Sequence, residues 1–164
     1  MRKLWNDNWM FTKLPLGSAY ADMKAAALCP VTLPHDWLIE NTEDLYESGD
    51  GWYVKTLKNE GLDDCVLLDF DGVYMDADVL LNGEILCTHR YGYTPFFVEL
   101  SGRLLPGDNE IAVHIRHQSP NSRWYSGAGI YRSVRLLSLP KRHMIPDGFQ
   151  VNTARNGEKW VLTV

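Results

Sequence analysis

The chain has 164 residues, is 45% hydrophobic and 23% charged, and carries a formal net charge of −5. That length supports one well-formed core plus a fragment of something else, and the composition excludes a disordered or collagen-like chain. The acidic balance, broken only by a short basic run at Lys141, Arg142 and His143, excludes a nucleic-acid footprint, and no stretch approaches the roughly 20 apolar residues of a membrane span.

The N-terminus, Met1-Arg-Lys-Leu-Trp, starts basic but lacks an apolar run and a small-residue cleavage site. No secretory signal is read there, and a cytoplasmic location is expected. Residues 22–28 (DMKAAAL) fit one or two helical turns that stop before Pro30. The rest predicts strands separated by turns at short intervals, the mark of a β-sandwich or barrel. Strands are predicted at 51–57 (GWYVKTL), 65–70 (CVLLDF), 77–81 and 84–88, the last two joined by Asn82-Gly83. Asn-Gly is a strong hairpin signal, because both central residues of a type I′ turn need positive φ. Further strands are predicted at 94–100, 109–116 and 133–137. In 109–116 the alternation sends Ile111, Val113 and Ile115 inward and Glu110, His114 and Arg116 outward.

A domain boundary is expected near Pro140, giving a main domain over 1–140 and a linker with the start of a second β-domain over 141–164. Asn156-Gly157 marks a second hairpin, and the sequence stops inside the strand that follows it. The chain therefore reads as the front of a longer protein.

Three cysteines, Cys29, Cys65 and Cys87, are odd in number, widely spaced and without a C-x-x-C pair. Core-filling thiols are the plain reading, and neither a disulfide framework nor a zinc site is expected. The pairs Asp69/Asp71 and Asp76/Asp78 each lie two apart on one strand face, roughly 7 Å from one another. A catalytic pair must flank a bond from opposite sides, so these read as solvent-facing strand positions. His114 and His117 point to opposite faces, which argues against a shared metal. No Ser-His-Asp order, phosphate-cradling loop or H-E-x-x-H occurs, so nucleophile and metalloenzyme chemistry find no support.

Two segments stand out. Residues 33–37 (LPHDW) project a histidine, a carboxylate and an indole from adjacent positions: His35, Asp36 and Trp37. Residues 121–132 (NSRWYSGAGIYR) crowd aromatics, arginines and glycines into one connector. Rings stack on sugar C–H faces and guanidinium forks hold hydroxyls or carboxylates, so Asn121, Arg123, Trp124 and Tyr125 suit carbohydrate recognition. The same residues could instead pack the end of the sandwich, with Gly127 and Gly129 only permitting a tight turn.

LPHDW, GWY at 51–53, FDGV at 70–73 with Ala77 and Asn82-Gly83, GYTPF at 92–96, GDN at 107–109 and WYSGAGIYR at 124–132 occur in a fixed order. Together they resemble the N-terminal sugar-binding domain of glycoside hydrolase family 2, over roughly residues 5–140, with wording most like the β-galactosidase branch. The tail after Pro140 resembles the start of an immunoglobulin-like domain. The resemblance implies a jelly-roll β-sandwich, and a parent protein that is a retaining exo-glycosidase with two catalytic glutamates in a separate TIM barrel. It implies no catalytic residue, metal or cofactor within this chain, while leaving room for a divalent or monovalent cation in the full-length enzyme. The implied partners are a β-galactoside-type carbohydrate, the protein's own C-terminal domains and another copy of itself. In some relatives an aspartate that binds a sugar hydroxyl lies about nine residues before the closing arginine. Counting back from Arg132, Arg123 holds that place here, which leaves Asp36 as the carboxylate of the two segments. A free-standing carbohydrate-binding module and a purely bracing domain are the alternatives.

Overall fold

The structure is a computed structural model that describes residues 1–122 and 127–164. In chain order the described elements are β1 (Arg2–Leu4), β2 (Trp9–Leu14), α1 (Tyr20–Ala25), β3 (Cys29–Val31), a 3-10 turn (Leu38–Glu40), β4 (Gly49–Asn59), β5 (Cys65–Phe70), β6 (Ala77–Leu81), β7 (Glu84–His89), β8 (Phe96–Glu99), β9 (Gly107–His117), β10 (Val134–Leu139), β11 (Asn152–Asn156) and β12 (Lys159–Thr163). Strands β1–β10 form a β-sandwich of two antiparallel sheets. One sheet runs β1-β10-β5-β8 and the other runs β3-β2-β4-β9-β6-β7.

Period-2 alternation builds the core. Val66, Leu68 and Phe70 of β5 face Ala77, Val79 and Leu81 of β6 and Ile111, Val113 and Ile115 of β9 in one buried cluster. Trp9, Phe11 and Tyr53 extend that cluster toward one end. Asn82 and Gly83 adopt φ values of 51° and 88°, so the β6–β7 turn has the left-handed geometry that Asn-Gly supplies at low cost. β3 includes Pro30, which its position as an edge strand tolerates because that edge needs no donor.

His114 lies on the outer face of its strand as read, but that face is not open to solvent there. A second cluster of Met23, Trp52, Val54, Leu80 and Ala112 lies on the outer face of the larger sheet, where α1 covers it. Tyr20 donates to Glu110, and Lys24 pairs with Glu110 at 2.7 Å, so the helix is tied down at its polar edge as well. Beside this cluster His114 is buried, with its ring stacked on Trp52 at 4.0 Å and an interplanar angle of 3°. The thiols also differ from expectation, since Cys29 is exposed and Cys65 and Cys87 are only partly buried. Hairpin β11–β12 pairs only with itself among the described strands, and all its residues are exposed. No helix among the described residues is long and apolar enough to cross a membrane.

Burial pushes the His114 imidazole below its ordinary 6.5, although Asp50 at 3.2 Å pulls the other way. A depressed folded value means the unfolded chain takes up the proton first as the pH falls. Stability is therefore expected to decline from about pH 6.5 downward, until the folded histidine also protonates. Urea midpoints across pH 4.5–7.5 should show this decline in the wild type, and His114→Gln should flatten it.

Candidate functional site

Strand register gathers the two singled-out segments at one end of the sandwich. β4 begins opposite the end of β9 (Gly49 with His117), and β6 begins opposite Ile115 of β9. β10 begins opposite the end of β5 (Val134 with Phe70), and β8 begins at the same place (Phe96 with Phe70). Connectors 32–48, 71–76, 90–95 and 118–133 consequently emerge side by side. The last of them crosses from one sheet to the other, because β9 and β10 belong to different sheets.

The crossing connector is clasped by the His35-Asp36-Trp37 loop. His35 N–H donates to the Ile130 carbonyl at 2.9 Å, and Trp37 N–H donates to the Ala128 carbonyl at 3.1 Å. Asp36 Oδ1 accepts two backbone amides at 3.0 Å, one from Leu38 and one from Ala128, 92 residues away. On the far side, Gly129 and Tyr74 exchange two backbone hydrogen bonds at 2.9 Å. Segment 128–130 thus behaves as a short strand held on both edges. The two glycines are sterically required. A Cβ on Gly129 would lie 2.3 Å from the His35 carbonyl and 2.6 Å from the Tyr53 hydroxyl, and one on Gly127 would lie 2.5 Å from Asp36 Oδ2.

Tyr53 and Glu40 complete the clasp. Burial pushes the Tyr53 phenol well above its ordinary range, so it keeps its proton. Its hydroxyl lies 2.7 Å from His35 Nδ1, while His35 Nε2 lies 3.0 Å from Glu40 Oε1. The Tyr53 hydroxyl and the Glu40 carboxylate thus engage both ring nitrogens of His35.

Each expected site residue can be placed against this geometry. His35 and Asp36 are partly buried and spend polar atoms on the clasp. Trp37 is 4% exposed, stacked near Phe11 and pressed onto Gly51, where a Cβ would come within 2.2 Å of its ring. The indole therefore supports the loop from beneath, and its Nε1 has no hydrogen-bond partner among the described residues. Asn121 is exposed at the foot of the crossing connector. Arg123, Trp124 and Tyr125 lie outside the described residues.

The solvent-facing expectation is corrected at Asp69 and Asp78, which are buried, and in part at Asp76, which is half-buried, while Asp71 keeps 43% of its side chain exposed. Asp69 is buried and pairs with Arg135 at 3.3 Å and Arg2 at 3.6 Å. Arg116 Nε donates to Asp76 at 3.0 Å and its Nη1 to Asp78 at 2.8 Å, and Arg90 also donates to Asp76. The Arg116 hydrogen bond holds the Asp76 carboxyl below its ordinary value. At Asp78 burial opposes the shift, but hydrogen bonds from Arg116 and Thr88 outweigh it and hold that carboxyl low too. Two ionised carboxylates locked by a guanidinium suit scaffolding better than proton transfer. No group of three or more His, Cys, Asp or Glu side chains is placed to hold a metal ion among the described residues.

Sequence reasoning did not single out Asp50, Tyr53, Tyr74 or Glu40. Asp50 is fully buried, and its Oδ2 accepts the Gly17 amide at 2.8 Å and the Ser18 amide at 2.7 Å. Tyr53 sits on the inward phase of β4 and so reads as ordinary core. Asp50 lies just before the strand predicted at 51–57, between two glycines, and nothing in the sequence marked it.

The sequence profile described as "Glycosyl hydrolases family 2, sugar binding domain" matches residues 18–140. The chain is 38% identical over 141 residues to a β-galactosidase of Bacteroides ovatus, covering 77% of this chain and 17% of that protein. It is 30% identical over 151 residues to a β-glucuronidase of Bacteroides fragilis, covering 82% of this chain and 20% of that protein. Its fold superimposes on a crystal structure of a glycosyl hydrolase family 2 member from Bacteroides cellulosilyticus with a TM-score of 0.79 at 30% identity, covering 93% of this chain and 22% of that one. The chain thus spans about a fifth of the length of these relatives.

The clasp generates a stability prediction. Asp36→Ala leaves two amides without their acceptor and should cost roughly 1–3 kcal/mol. Gly129→Ala, at φ 139° and with no space for a Cβ, should cost on the order of 1–3 kcal/mol from backbone strain, before any clash is counted. Urea denaturation of both variants checks this, and an unchanged midpoint for Asp36→Ala would contradict the clasp.

Proposed function

The chain belongs to the sugar binding domain of glycosyl hydrolase family 2, and from that premise we propose that it is the non-catalytic N-terminal part of a retaining exo-β-glycosidase of the β-galactosidase type. In this reading its ligand is a carbohydrate, and the catalytic carboxylates, with any cation they use, belong to further domains of the same protein. The observation that carries the reading is the clasp. Residues 33–37 and 127–130, far apart in sequence, are locked together at the end from which the 118–133 connector emerges. Such locking fixes residues 128–130, just after the stretch of sequence that holds Asn121, Arg123, Trp124 and Tyr125. A rigid anchor lets neighbouring side chains meet a sugar at little entropic cost. The higher identity to the Bacteroides ovatus β-galactosidase than to the Bacteroides fragilis β-glucuronidase favours a galactoside over a glucuronide.

A bracing role is the second reading. It is favoured by the burial of Trp37 and the use of Asp36 Oδ1 for internal amides. The two readings separate kinetically, because a residue that only braces affects stability without changing discrimination between substrates.

The longer protein that contains this chain should hydrolyse nitrophenyl β-galactoside with a kcat/KM at least about tenfold above that for the β-glucuronide. The 164-residue chain alone should turn over neither. A preference for the glucuronide would overturn the galactosidase assignment. Turnover by the chain alone would overturn its non-catalytic role.

A further inference from the structure

We propose that the cleft at the foot of the crossing connector binds a neutral sugar ring and disfavours a uronate. The proposal rests on the reading of this chain as a sugar-binding domain, and it names the class of sugar. The cleft has a volume of about 410 Å³, and its lining includes the polar Asp76, Arg116, Gln118 and Asn121 and the apolar Leu16, Met75 and Pro120. That volume falls within the roughly 300–1,000 Å³ of small-molecule clefts. Apolar Leu16, Met75 and Pro120 supply surface for C–H faces. The exposed amides of Gln118 and Asn121 can both donate to and accept from hydroxyls.

Both walls are fixed before any ligand arrives. On one side the buried Asp50 carboxylate holds the Gly17 and Ser18 amides at 2.8 and 2.7 Å, and Ser18 Oγ accepts the Trp52 indole N–H at 2.9 Å. On the other side Asp76 is held by Arg116 and Arg90. Preorganised polar groups of this kind favour a ligand whose hydroxyls match them.

Among the described residues the charge arrangement selects against an anion. Arg116 spends Nε on Asp76 and Nη1 on Asp78, its Nη2 lies 3.4 Å from Asp76 Oδ1, and its Nη1 also lies 3.1 Å from His114 Nδ1. It therefore presents no unspent fork to a ligand carboxylate. Asp76 and Asp78 are balanced by Arg116 and Arg90, and burial keeps His114 in its neutral form at neutral pH. A ligand hydroxyl can donate to the partly exposed Asp76, whereas a ligand carboxylate there would meet a like charge.

The test is a ¹H–¹⁵N titration of the 164-residue chain with methyl β-galactoside and, separately, methyl β-glucuronide. Saturable shifts are expected at Gly17, Gln118 and Asn121 with the galactoside, and binding of the glucuronide should be at least about tenfold weaker. Gln118→Ala, at an exposed position outside the core, should weaken galactoside binding severalfold. Shifts confined to other surfaces, such as the exposed Tyr91 and Tyr93, would overturn the cleft as the site. Equal or tighter glucuronide binding would overturn the charge argument. If neither sugar shifts these signals while the longer protein still hydrolyses a glycoside, the cleft proposal fails and the glycosidase reading stands. Failure of the longer protein to hydrolyse any glycoside would instead remove that reading itself.

Discussion

One carboxylate organises the loop-bearing end of this sandwich. Asp36 Oδ1 accepts the amides of Leu38 and Ala128, and so joins a loop that precedes β4 to a connector that follows β9. The contact sits where two sheets must be bridged, because β9 and β10 lie in different layers. Connector backbone there would otherwise lack partners, and buried backbone groups without partners are costly. The loop 35–37 on one side and Tyr74 on the other supply those partners, which makes residues 128–130 an extra strand between connectors. Every other feature of this end follows from that arrangement. Gly127 and Gly129 are small because Asp36, His35 and Tyr53 come so close. Tyr53 and Glu40 fix the His35 ring because its backbone is part of the same bridge.

The chemistry of the region is that of presentation. The described carboxylates are mostly committed: Asp36 to amides, Asp50 to the 17–18 turn, Asp69 to Arg135, and Asp76 and Asp78 to Arg116. None of these forms a pair facing across open space, as glycoside hydrolysis by two carboxylates requires. This agrees with a sugar binding domain that spans about a fifth of its relatives' length. The described residues hold the clasp and the cleft in fixed geometry.

Much of the fold was legible in the sequence. The strands at 65–70 and 77–81 match β5 and β6, and the Asn82-Gly83 hairpin forms as its turn chemistry requires. The missed elements have physical explanations. β1 and β3 are three residues each and gain their structure from neighbours, and β3 includes a proline that local propensity would exclude. The outer face of His114 was legible but its burial was not, because alternation separates two faces and does not reveal what covers each. A six-residue helix covers the outer face here, and its burial of Met23 against Trp52 and Leu80 turns a nominal surface into a second small core. At the candidate site, the sequence identified both partners of the clasp, LPHDW and GAGIYR, but not that they bind each other. Their meeting depends on strand register, and the orientation of Trp37 beneath the loop depends on the absence of a side chain at Gly51.

The account stands or falls on whether the clasp is formed in solution. Native-state hydrogen exchange of the 164-residue chain at the Ala128 and Trp37 amides addresses this directly. Both amides donate into the clasp, so both should exchange as slowly as core amides such as Leu68 of β5, through opening of the whole domain. Exchange at the rate of exposed loop amides would show that the two segments are not locked together, and would contradict the account.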